Sequence, residues 1–225
     1  MTTARELKVQ IILVSVSLLS VGLGVVMSYF EGRSNSLSVI PTFLPAIVVP
    51  FLCLFVSCMV LFSLGIHSLY KKQHRIVVWW MFFLSLALCR ALFFIDYGAI
   101  FARGFHDYAE HVLTPDEWRA ISRFAQEHIK PDESISGPGK GLGDDAVNRA
   151  IWPQFEAATQ IKKLPSKWLI SVNSDWTEIE WGGALVGHRA VRVTTTKKVT
   201  ILSDLPDYLY HPMSIREDIF TYLSD

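Results

Sequence analysis

Trp168-Leu169-Ile170-Ser171-Val172-Asn173-Ser174-Asp175-Trp176-Thr177-Glu178-Ile179-Glu180-Trp181 reads as two strands joined by a polar turn. Apolar and β-branched residues recur with a period of two, and Asn173-Ser174-Asp175 supplies the turn chemistry between them. In the second strand Thr177, Ile179 and Trp181 share one face while Glu178 and Glu180 share the other. That alternation predicts a half-buried antiparallel sheet with one wet face.

Working outward, Gly182 to Gly187 reads as a wide turn, Ala190 to Thr195 as a third strand and Val199 to Leu202 as a fourth, with Lys197-Lys198 at the tip between them. The expectation is an antiparallel meander of about four strands. Ser214-Ile215-Arg216-Glu217 has capping-box spacing and predicts a final helix to about Leu223, with Ile215, Ile219, Phe220 and Leu223 on its covered face. Tyr208 and Tyr210 are expected at the edge of the core.

On the amino-terminal side, Leu113-Thr114-Pro115-Asp116-Glu117-Trp118 is the clearest local signal. Thr114 caps, Pro115 takes the first helical position, Glu117 completes a capping box, and Leu113 and Trp118 form a hydrophobic staple. The helix should run to about Lys130 and stop at Pro131. Ser136 to Gly143 is glycine-rich, but it lacks the spacing of a phosphate-binding loop and precedes two aspartates, so it reads as a surface connection. Asp145 to Ile161 reads as two short helical pieces broken at Pro153.

The first hundred residues differ in kind. They hold seven basic and three acidic residues, against 14 and 18 in the remainder, from chain totals of 21 and 21. Apolar runs at about 9–30, 50–69 and 76–100 have the length of bilayer spans, with a proline-broken element at about 39–49. The sequence expectation is therefore a membrane bundle of three transmembrane helices over residues 1–100, a juxtamembrane linker over 101–113, and an α+β domain over 114–225. Lys71, Lys72 and Arg75 form a basic turn that would stay on the cytoplasmic side. This predicts a multi-pass protein of the plasma (inner) membrane, amino terminus inside and carboxy-terminal domain outside.

Arg90 and Asp96 are the charges within the apolar runs, and an arginine at that depth needs a partner or a route to water. Ser20 and Gly24 form a small-x-x-x-small pair suited to helix packing. Cys53, Cys58 and Cys89 all lie in apolar segments, which leaves no disulfide or thiolate zinc site for the polar half.

For chemistry, His106 and Glu110 stand one helical turn apart with His111 beside them, a weak metal candidate. His188 and His211 are weak polar-site candidates that would face Glu178, Glu180 or Asp207. Neither GxSxG nor HExxH occurs, and Ser68 with Lys71 matches SxxK without its companion motifs. No cofactor is expected. An acidic domain without basic runs argues against nucleic acid. The reading is a non-catalytic interaction domain or accessory subunit, with the lipid bilayer and a protein partner or a second copy as partners. Alternatives are a membrane enzyme acting on lipid or cell-envelope material, and an oligomeric pore or transporter subunit.

Overall fold

The computed structural model describes residues 4–33, scattered positions between 48 and 90, then 94–131, 133–136, 146–164, 168–182, 188–195 and 209–224. The chain divides into two compact units, Met1–Ser28 with Thr42–Tyr97, and Tyr29–Pro41 with Gly98–Asp225.

The first unit takes most of helix α1 (Ala4–Arg33). Leu, Val and Ile run almost unbroken along it, and exposed positions such as Ile11, Leu18, Leu19, Leu23 and Val26 are not confined to one stripe. Within this unit Ser28 donates to the Tyr97 carbonyl at 2.9 Å, and Phe82 packs against Trp79 and Phe62 at centroid distances of 5.7 and 5.8 Å.

Among the described residues no helix is long and apolar enough to cross a membrane. The expected three-span bundle is corrected accordingly, and the transmembrane assignment with it. Helix α1 begins within the charged stretch Arg5, Glu6 and Lys8 and ends past Glu31 at Arg33, in the second unit.

The second unit is built on a six-stranded, wholly antiparallel sheet: β1 (Ser134–Ser136), β2 (Leu169–Val172), β3 (Trp176–Gly182), β4 (His188–Thr194), β5 (Leu209–Arg216) and β6 (Ile219–Ser224). Their order across the sheet is β1-β2-β3-β4-β6-β5. Helices α2 (Tyr97–Val112), α3 (Pro115–His128) and α4 (Ala146–Ala158) contribute Phe105, Trp118, Ile121 and Phe155 to a core completed by Ile170, Ile179, Val191 and Ile219 of the sheet. Thr177 and Ile179 pair with Val193 and Val191, which places the predicted apolar face of the hairpin against the helices.

Helix α3 opens on the predicted capping box. The Thr114 amide donates to Glu117 Oε2 at 2.7 Å, and the Glu117 amide donates to Thr114 Oγ1 at 3.3 Å. Helix α4 runs through Pro153 unbroken rather than as two pieces.

Two further corrections concern the sheet. The first three strands of the expected meander, β2 to β4, are part of a six-stranded sheet, and the expected helix over Ser214–Leu223 is the β5–β6 hairpin. Ser214 Oγ donates to the Arg216 carbonyl at 2.6 Å instead of capping a helix. Phe220 and Tyr222 are buried on one face of β6, and Ile219, Thr221 and Leu223 on the other. With both faces covered, the period-two contrast that marks a strand is erased. The proposed fourth strand, Val199 to Leu202, and the Lys197-Lys198 tip lie outside the described residues. Residues 101–113, expected as a juxtamembrane linker, fall largely within helix α2, with Phe101, Phe105, Ala109 and Leu113 buried.

Candidate functional site

Three junctions in the sheet domain bring polar and charged side chains together. On the sheet face opposite the helices, Glu178 pairs in register with Arg192. Arg192 Nε and Nη2 both donate to Glu178 Oε2, at 3.0 and 2.6 Å, and Nη2 also donates to the Tyr222 hydroxyl at 3.1 Å. The guanidinium lies 4.3 Å from the Trp176 ring centroid, a cation–π contact. The side chains of Arg192 and Glu178 are only 7% and 14% exposed. The expected wet face is therefore a buried charge pair, and burial, with Glu178 adding to it, pushes the Tyr222 phenol far above its usual range.

The second junction fastens α2. Gly32 and Gly104 sit at a backbone-to-backbone crossing: a Cβ on Gly32 would come within 3.0 Å of the Phe101 carbonyl, and one on Gly104 within 3.0 Å of the Tyr29 carbonyl. Only glycine permits that approach. Tyr29 donates to Asp107 at 2.5 Å, and this bond, ahead of burial, raises the tyrosine pKa. Arg103 pairs with the same carboxylate at 3.4 Å. Arg189 of β4 is buried, 5.3 Å from the Phe101 ring centroid, and donates to the Gly32 carbonyl at 3.4 Å. Burial lowers its pKa, with Glu31 opposing. His106 is 8% exposed, and its Nδ1 lies 3.1 Å from Thr221 Oγ1 on β6.

The third junction ties α3 to neighbouring loops. Arg119 grips Asp218 through Nε and Nη2 at 2.6 and 2.8 Å, which holds the Asp218 carboxyl below the usual carboxylate range. Lys163 reaches Glu117 at 2.6 Å and, with the Thr114 amide, lowers its pKa. Ser122 and Gln126 of α3 both donate to Thr177 Oγ1, and Gln126 also donates to the Asn173 carbonyl.

The residues singled out from sequence fare unevenly. His106, Glu110 and His111 do not converge: His106 is buried, Glu110 and His111 are exposed, and His111 Nδ1 lies 2.6 Å from the Asp107 carbonyl. Among the described residues no group of three or more His, Cys, Asp or Glu is placed to hold a metal ion. Glu178 is engaged by Arg192 rather than by His188 or His211, and Asp207 lies outside the described residues. His188 is half-buried, with no hydrogen-bond partner for its buried Nδ1 among the described residues. His211 takes a positive φ of 52° beside the register shift in β5. Arg90 is exposed, with its guanidinium 5.7 Å from the Phe94 ring centroid, and Asp96 is exposed. Gly24 is buried. The side chain of Ser20 and the turn Lys71, Lys72 and Arg75 lie outside the described residues.

Arg119, Asp218, Arg189 and Arg192 escaped the sequence reading. Opposite charges on predicted neighbouring strands were the available signal for Glu178 and Arg192. The register that sets them opposite each other was not legible.

These features define the second unit as an α+β domain whose described helices α2 to α4 lie on one face of a six-stranded antiparallel sheet, with Arg192 and Glu178 paired on the other. No family model, curated protein or solved structure matches the chain.

Proposed function

We propose that the chain is a non-catalytic interaction protein, an accessory subunit whose apolar unit is covered by a partner chain. The observation that carries this reading is the large apolar surface of α1, where Leu19 is 67% and Phe30 58% exposed, with Ile11, Ile12, Leu18, Leu23 and Val26 also open. Exposed apolar surface of this extent marks an interaction site. The sheet domain supports the same reading. Its buried Arg192 and Glu178 neutralise each other, and Arg119 and Asp218 lock α3 to the β5–β6 turn, as in a rigid recognition module.

Site-specific photo-crosslinking from positions 19 and 30 of the full chain in its native cells tests the proposal, with the native mass measured in parallel. A discrete adduct to one protein, recovered in stoichiometric amount, is expected. Adducts to lipid alone would set a bilayer rather than a partner chain against this surface and overturn the reading. So would substrate turnover by the full chain that is lost on replacing His188 or His211.

A further inference from the structure

The apolar pattern of β6 does not decide which of its residues pairs with which on β4. Phe220 and Tyr222 are buried on one face and Ile219, Thr221 and Leu223 on the other, so a slip of one residue exchanges two covered sets instead of exposing one. In β3, by contrast, the same slip would carry Glu178 and Glu180 into the apolar core beneath the helices. The turn before β6 is no better guide. Arg216 pairs with Ile219, which leaves Glu217-Asp218 as a two-residue loop, and such loops set register through types I′ and II′, both with a positive φ at the first loop residue. Among the described non-glycine residues only His211 has a positive φ, so Glu217-Asp218 adopts neither type. A register shift between Ser214 and Arg216 loosens the pairing with β5 further.

We propose that three polar contacts, made from three different elements, set the register of β6. Arg119 of α3 holds the Asp218 carboxylate at 2.6 and 2.8 Å, and the Asp218 carbonyl accepts from the Thr194 amide at 2.9 Å. His106 of α2 has its Nδ1 3.1 Å from Thr221 Oγ1, which also donates to the Met213 carbonyl of β5 at 3.4 Å. On the opposite face Arg192 of β4 donates to the Tyr222 hydroxyl at 3.1 Å. A strand advances about 3.3 Å per residue, more than a hydrogen bond can stretch, so a one-residue slip breaks all three contacts together. A two-residue slip keeps the faces, but it brings Ile219 or Leu223 to His106 and Phe220 or Ser224 to Arg192. His106 and Arg192 are both buried, so water does not replace the lost partners, and each alternative register carries that cost. Apolar burial keeps β6 in the core, and these side chains choose its register.

Asp218→Ala, Thr221→Val and Tyr222→Phe each delete a polar group while leaving the apolar pattern and the β propensity of the strand intact. NMR of the full chain carrying all three tests the proposal, read at the cross-strand NOEs of Val191, which pairs with residue 221 in the native register. The triple variant should give more than one set of signals for 219–223, with Val191 in contact with 219, 220, 222 or 223 as well as 221, while the α3 amides keep one set. The wild type and each single variant should give one set throughout. A triple variant that keeps one set, with Val191 against 221 alone, would assign the register to packing and overturn the proposal. Should the triple variant not fold, Thr221→Val with Tyr222→Phe retains the Asp218 contact. Hydrogen exchange in that pair should quicken several-fold at 219–223 and stay unchanged in α3; equal quickening in both, or none in either, would overturn the proposal.

Discussion

Replacing Glu178 by Ala isolates the cost of the charge buried on the sheet face opposite the helices. Arg192 would lose both of its bonds to Oε2, at 3.0 and 2.6 Å, while its contacts with the Tyr222 hydroxyl and the Trp176 and Tyr222 rings, all uncharged, remain. With the arginine side chain 7% exposed, water cannot readily take the carboxylate's place. Stranding one partner of a buried pair costs about 3–5 kcal/mol. The cation–π contact returns ~1–2 kcal/mol of stabilisation to the guanidinium, but it is present before and after the substitution and cancels from the difference. A loss of about 3 kcal/mol is therefore expected. Replacing both members, Glu178→Leu with Arg192→Met, removes the stranded charge and should come within about 1 kcal/mol of wild type. Urea unfolding of the full chain, followed by near-ultraviolet circular dichroism across the double-mutant cycle, measures both. If Glu178→Ala cost less than about 1 kcal/mol, or the double variant were no better than the single one, the pair would be behaving as a solvated surface bridge and the reasoning would fail.

Gly104→Ala drives a Cβ into the Tyr29 carbonyl and should cost about 1–3 kcal/mol, although alanine gains up to about 1 kcal/mol in helix propensity. Gly22→Ala meets nothing within 4 Å and should be neutral or stabilising by up to about 1 kcal/mol, so equal effects at the two sites in thermal unfolding would refute the crossing. Thr114→Ala removes the capping box and should lower stability by about 1 kcal/mol in the same assay; no change would mean that another group caps α3. The Arg119–Asp218 pair holds the aspartate pKa down, so its contribution is present above the ordinary carboxylate range and is lost as pH falls through the folded-state value. Asp218→Asn should flatten that acid limb, and a wild-type limb in the variant would assign the loss to other carboxylates.

Much of the sheet domain was written locally. The hairpin around Asn173-Ser174-Asp175, the strand from Trp176, and the capping box at Thr114 each depend on neighbours within a few residues, and each is where the sequence put it. Local signals misled where two solutions share one pattern. Ser214 to Glu217 satisfies a capping box, yet Ile215, Ile219, Phe220 and Leu223 serve equally as residues of a hairpin covered on both faces.

Hydropathy failed in the same way at 101–113. It reports that Phe101, Phe105 and Leu113 avoid water, not whether lipid or protein excludes it, and here the sheet domain does. The paired side chains lay further out of reach. Glu178 and Arg192 are 14 residues apart, Arg119 and Asp218 are 99, and His106 and Thr221 are 115. Composition, turns and caps are short-range properties, and the sequence by itself determined them. Strand order, the glycine crossing and the burial of those charges depend on which distant segments meet, and only the tertiary structure decided that.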